Sequence, residues 1–118
     1  MRTSRIGSLI LLFCASIAWA GSTLSTSEAA KHTGERATVC GVIASEHTAT
    51  RSRGTPTFIN LDEPYPGQVF TALVWGSDRA SVGNLPHGGR ICVTGTITEY
   101  RETPEIVLHT ARDWYVPK

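Results

Sequence analysis

The chain has 118 residues, with 11 Lys and Arg against 10 Asp and Glu, a net charge of +1 with histidine neutral. That length supports one small domain. The near-neutral balance excludes a globally basic surface that would draw the whole chain onto nucleic acid.

The first twenty residues, MRTSRIGSLILLFCASIAWA, place Arg2 and Arg5 ahead of an apolar run that closes on Ala18-Trp19-Ala20. A basic flank, a short apolar segment and a small-x-small end mark a secretory signal peptide over 1–20. The run from Ile6 to Ala20 is 15 residues, short of the about 20 that a bilayer span needs, so no stable membrane span is expected after cleavage. Cys14 follows Phe13 rather than a small residue and is read as part of the apolar segment. Cleavage after Ala20 leaves 98 residues with nine basic and ten acidic side chains, a net charge of −1. A periplasmic or secreted location follows, with Cys40 and Cys92 retained in an oxidising compartment where cysteines tend to pair.

Residues 21–33 begin GSTLSTSEAAK, small and polar, and predict a flexible leader or a short helix ahead of a domain over 34–112. ATVCGVIAS (37–45) is rich in strand formers around Gly41. A polar loop covers 46–56. TFINLD (57–62) is the second strand, and EPYPGQ (63–68), with two prolines and a glycine, is a turn. VFTALVW (69–75) is the third strand. The connector GSDRASVGNLPHGG (76–89) has room for one short helical turn, with Ser77 placed to cap it. RICVTGTITEY (90–100) is the fourth strand, RETP (101–104) a tight turn, EIVLHTA (105–111) the fifth strand and 113–118 a tail. Five short strands separated by turn signals predict an all-β domain. Gly41 and Gly95 inside strands point to sharp bends, as small barrels require.

Side chains alternate along a strand, and the parity sorts the core. Val39 and Ile43, Ile59 and Leu61, Val93 and Ile97, and Ile106 and Leu108 are expected inside. In the third strand Phe70, Ala72 and Val74 form the wholly apolar set; the opposite register would bury Thr71, Leu73 and Trp75. Cys40 and Cys92 both take the outward parity and can bridge only if their strands are neighbours.

This order of strands resembles the OB-fold, a five-stranded Greek-key barrel. Phe58-Ile59-Asn60-Leu61-Asp62-Glu63 is similar to the second strand of OB-fold anticodon-binding domains, whose pattern is Phe-Ile-Asp-Leu-Arg-Asp. Gly41-Val42-Ile43 and Val93-Thr94-Gly95-Thr96-Ile97 are similar to their first and fourth strands. The segment from about Gly34 to Thr110 also resembles small exported bacterial OB-fold proteins of unassigned function. The resemblance implies that the first and fourth strands pair, which sets Cys40 beside Cys92 as a disulfide on the outer wall.

It also implies a ligand face. In the anticodon-binding relatives the aromatic of this motif stacks on a base, and Phe58 holds the matching position. The loops that flank the face carry Arg51 and Arg53, and Tyr100 and Arg101. With Asn60, these make up the candidate ligand-binding set, and single-stranded nucleic acid is the partner it implies. Asn60 stands where the pattern has Asp, and Asp62-Glu63 where it has Arg-Asp, so this chain is more acidic there. Two readings of Phe58 stand side by side: a stacking platform, or a ring packed under the first loop or the leader. Taken singly, Arg51 and Arg53 read as solvated loop residues, and Trp75 as the edge of the core. The alternative function is a module for an envelope protein, glycan or small ligand, since a fold does not fix its use.

Catalysis finds no constellation in the sequence. His32, His47, His87 and His109 lack metal-ligand spacing. Adjacent Asp62 and Glu63 point to opposite faces of a strand, and no Gly-x-Ser-x-Gly elbow occurs. The sequence implies no catalytic residue, no metal and no cofactor.

Overall fold

The computed structural model describes residues 23–118; the signal peptide read over 1–20 lies outside them. Eight strands form one sheet: β1 (Thr23–Ser25), β2 (Arg36–Thr48), β3 (Thr57–Leu61), β4 (Thr71–Val74), β5 (Arg90–Thr96), β6 (Thr98–Tyr100), β7 (Thr103–Val107) and β8 (Trp114–Tyr115). The hydrogen-bonded order is β6-β7-β4-β3-β2-β5-β8, with β1 alongside β2. The five predicted strands are the long members of this set, but no ladder joins β5 to β7. The sheet is therefore an open path, and the expected closed five-stranded barrel is corrected accordingly.

The opening has a local cause. The strand expected over 90–100 breaks at Ile97, whose N–H donates to the Glu35 carbonyl (2.9 Å) and whose carbonyl accepts from Gly34 N–H (2.7 Å). Its first half pairs with β2 and its second half with β7. Gly95 sits at this bend because a Cβ there would come within 2.7 Å of Ile106 Cγ2.

β2 is 13 residues long and changes partners along its length. Residues 36–42 pair with β5, and from Ile43 onward it pairs with β3, with a register shift between Ile43 and Ser45. A bulge of this kind bends a strand and raises its twist, which lets one strand serve two halves of the sheet.

The parity reading of the core holds. Val39, Ile43, Ile59, Leu61, Val93, Ile97, Ile106 and Leu108 are buried, as are Phe70, Ala72 and Val74. Thr71 and Leu73 are buried too, at 4% and 5% exposure, so β4 is covered on both faces; Trp75 is 38% exposed.

Both ends of the described residues are built into the sheet. Over the segment read as a flexible leader or short helix, β1 runs parallel to β2, and a 3-10 turn over Ala29–His32 puts Ala29 into the core. The tail contributes β8 on the far edge of β5, and Trp114 Nε1–H donates to the Val82 carbonyl (2.9 Å). In the connector, a 3-10 turn over Gly76–Asp78 runs into α1 (Arg79–Val82). The helix cap falls on Asp78 rather than Ser77, and its side chain makes no capping bond.

Cys40 and Cys92 are directly paired across β2 and β5 and form a disulfide. The pairing agrees with the sequence reading, but the bridge is buried rather than exposed on the outer wall. It lies in a row that runs Ser25, Cys40, Cys92, Tyr115 across β1, β2, β5 and β8. The two strands absent from the sequence reading flank it on either side.

Candidate ligand-binding face

Phe58 lies on the face of β3 opposite the core residues Ile59 and Leu61, and it is partly buried. The registers fix its neighbours. His47 on β2 pairs with Phe58, Phe58 with Leu73 on β4, and Leu73 with Val107 on β7. The next row reads Ser45, Asn60, Thr71, Glu105 and Thr98. The outward aromatic is thus one member of an apolar row, lying beside a polar row. Residues directly opposite in adjacent strands have Cβ atoms about 4.5–5.5 Å apart, so Phe58, Leu73 and Val107 form a continuous apolar strip.

The polar row is largely internally satisfied. Asn60 is 3% exposed; its amide Nδ2 donates to Ser45 Oγ (3.0 Å) and its Oδ1 accepts from Thr71 Oγ1 (2.8 Å). The ligand role expected for Asn60 is therefore corrected to a structural one, holding β2, β3 and β4 in register. Glu105 is half-buried in the same row, and burial pushes its carboxyl above the usual carboxylate range.

The other expected site residues lie elsewhere. Tyr100 has the same outward parity but stands three strands from Phe58 and pairs with Thr103, four residues along β7 from the Val107 of the Phe58 row. It is 55% exposed, and Arg101 stacks over its ring at 5.3 Å from the centroid, a cation–π contact. Arg101 and Glu102 form the two-residue turn with φ of 51° and 69°, the left-handed region that this turn class demands.

Arg51 and Arg53 are exposed on the loop between β2 and β3. That loop is tied to the connector: Gly76 N–H donates to the Gly54 carbonyl (2.8 Å), and Arg79 Nη2 donates to the Thr55 carbonyl (2.9 Å). A Cβ on Gly54 would meet the Trp75 ring at 2.8 Å, so the loop rests on Trp75. None of the expected basic residues shares the cross-strand row of Phe58, which carries no Arg or Lys.

Two concavities lie away from Phe58. One, of about 470 Å³, is lined by Glu46, Thr48, Thr57, Val74, Arg79 and the 83–87 connector. The second, of about 290 Å³, is lined by Arg36, Thr94, Thr96, Thr98, Val107, His109 and Asp113, and so meets the Val107 end of the strip with one basic side chain on its wall. Among the described residues no cluster of three or more His, Cys, Asp or Glu could hold a metal, and no helix is long and apolar enough to cross a membrane.

Sequence reading missed Asp62 as a structural residue. Its Oδ1 accepts from Val42 N–H (2.8 Å), its own N–H donates to the Val42 carbonyl (2.6 Å), and its Oδ2 accepts from Thr26 Oγ1 (2.6 Å). The start of that clamp was signalled by Ser25-Thr26-Ser27-Glu28, a capping-box spacing. Ser25 N–H and Oγ both donate to Glu28 Oε1, which holds the Glu28 carboxyl below its usual range.

No protein-family model matches the chain, and no curated protein sequence matches it. Solved structures do match in shape. An OBody, AM1L10, bound to hen egg-white lysozyme aligns with a TM-score of 0.58 at 14% identity, over 88% of this chain and 98% of that one. A putative aspartyl-tRNA synthetase from Leishmania major Friedlin aligns with a TM-score of 0.55 at 9% identity, over 86% of this chain; the alignment spans only 22% of the synthetase. At these identities the likeness is one of fold: the chain has an OB-fold-like architecture.

Proposed function

We propose that this chain is a non-catalytic binding module of the OB type that works outside the cytoplasm and presents the Phe58 strip to a polypeptide partner. The observation that carries the reading is the row His47, Phe58, Leu73, Val107. Phe58 and Val107, partly exposed on either side of the buried Leu73, with no Arg or Lys in their row, suit side-chain burial at a protein interface better than contact with phosphates, which needs Arg or Lys. Glu105 in the neighbouring row works against an anionic ligand. The lysozyme-bound OBody supports the idea that a domain of this size and shape can serve as a protein binder. The disulfide supports an oxidising compartment.

Single-stranded nucleic acid is the second reading, favoured by the exposed Arg51 and Arg53 and by the Tyr100–Arg101 pair. None of these residues lies in the Phe58 row. The two readings separate in one titration of the chain with oligo(dT) at low and moderate salt, followed by NMR. The polypeptide reading expects no shifts at His47, Phe58, Leu73 and Val107. Salt-sensitive shifts there would establish the nucleic-acid reading instead.

A further inference from the structure

The larger concavity has a chemistry of its own, on the other side of the sheet from Phe58. Thr57 precedes Phe58 in β3 and therefore faces the opposite way. The pairs Glu46–Ile59 and Thr48–Thr57 put Glu46 and Thr48 on that same side, beyond the last core residues. The connector from α1 to β5 closes the cleft with Gly83, Asn84, Leu85 and His87.

Three features define what the cleft can hold. First, Arg79 is fixed in place. Its Nη2 donates to the Thr55 carbonyl (2.9 Å) and to Thr57 Oγ1 (3.1 Å), while Nη1 and Nε have no hydrogen-bond partner among the described residues. A guanidinium held by one nitrogen offers its remaining donors at a set position, the geometry that suits a carboxylate. Second, the Glu46 carboxylate has one ion-pair candidate, His87 Nδ1 at 4.0 Å, and the His87 side chain is 97% exposed. Glu46 is thus left with acceptor capacity facing the cleft. Third, the Thr48 and Thr57 hydroxyls, 2.9 Å apart, lie between these charges, and Val74 and Leu85 supply apolar lining.

Glu46 and Arg79 line the same cleft, so an anionic acceptor and a cationic donor share one volume, as the ammonium and carboxylate of a zwitterion require. A volume of about 470 Å³ falls within the range of about 300–1,000 Å³ usual for small-molecule sites. We propose that this cleft is a second binding site, separate from the Phe58 strip, for a free α-amino acid with an aliphatic side chain. Arg79 takes the carboxylate, Glu46 takes the ammonium, and Val74 and Leu85 receive the side chain.

The test uses L-leucine and its two halves, isoamylamine and 4-methylpentanoate, titrated into the full chain by NMR. Leucine should shift Glu46, Thr48, Thr57, Arg79 and Leu85 and leave Phe58 and Val107 unmoved. Each half should bind about tenfold more weakly, the equivalent of one lost charge-assisted hydrogen bond. Glu46→Gln should weaken leucine and isoamylamine by a similar factor and leave 4-methylpentanoate unchanged. Because that variant keeps the size and shape of the side chain, its fold is checked by the unchanged shifts of Ile59 and Val93. Leucine that binds no better than its halves, that shifts the Phe58 strip instead, or that gives no shift at all would each overturn the proposal. Loss of binding in Phe58→Ala would likewise overturn the separateness of the two sites.

Discussion

Thr26 Oγ1 donates a 2.6 Å hydrogen bond to Asp62 Oδ2 across 36 residues of sequence. The same carboxylate accepts from the Val42 backbone, so one side chain joins the turn after β1, the middle of β2 and the end of β3. Asp62 also adopts a φ of 68°, a conformation that Asp and Asn tolerate better than other side chains. The residue that looked like stray negative charge beside a ligand face is a structural clamp.

Asp62→Ala should therefore destabilise the chain by about 2–3 kcal/mol, because it strands the Thr26 hydroxyl and the Val42 N–H and places alanine at positive φ. Asp62→Asn, which keeps the acceptor and tolerates the backbone, should lose about half as much. Urea unfolding midpoints at neutral pH check the order of the two variants.

Gly41 is the counterpart of that clamp. A Cβ there would meet Thr26 Cγ2 at 2.9 Å and both Asp62 carboxylate oxygens at 3.1 Å. Gly41→Ala should cost about 1–3 kcal/mol through overpacking. Thr26→Ser removes the offending methyl while keeping the hydroxyl, so the double variant should recover part of the loss. A double-mutant cycle showing strict additivity would contradict this contact.

Glu105 gives the chain a pH dependence of known sign. Burial raises its carboxyl above the ordinary 4.5, so the folded state holds that proton more tightly than the unfolded chain does. Its contribution is fully present in acid, below the ordinary value, and is lost as pH rises through the raised one. Glu105→Gln should consequently raise stability at neutral pH, by less than about 1 kcal/mol given solvent screening. It should bring no such gain in acid. Thermal midpoints measured against pH for both proteins test this.

The disulfide closes a separation of 52 residues. On the chain-entropy model its removal in Cys40→Ser with Cys92→Ser should cost roughly 4 kcal/mol. The buried surroundings add the penalty of two unpaired hydroxyls, which Cys40→Ala with Cys92→Ala would avoid. Denaturant unfolding of both double variants separates the two contributions.

How much was legible follows from the range of each interaction. Alternation placed Val39, Ile59, Val93 and Ile106 in the core because burial acts on every second residue of a strand, and the same parity sorted Phe70, Ala72 and Val74 correctly. The break at Ile97 was invisible because the apolar parity runs through it; only its backbone bonds to Gly34 and Glu35 reveal it. β1 is three residues with no apolar period. Its strand identity comes from pairing with β2, which no local pattern encodes. The candidate site fared differently. Phe58 was legible as an outward aromatic, but the exclusion of Arg51, Arg53 and Arg101 from its row depends on cross-strand register and on where two loops are tied.

The central claim rests on Phe58, and the most direct measurement is affinity for peptides selected from a random library on the immobilised chain, compared between the wild type and Phe58→Ala. The account predicts loss of about tenfold or more in affinity, NMR shifts confined to His47, Phe58, Leu73 and Val107, and a stability change of no more than about 1–2 kcal/mol for a partly exposed ring. Equal affinity for the variant, or a stability loss of about 3–5 kcal/mol typical of a core phenylalanine, would contradict it and make Phe58 part of the packing instead.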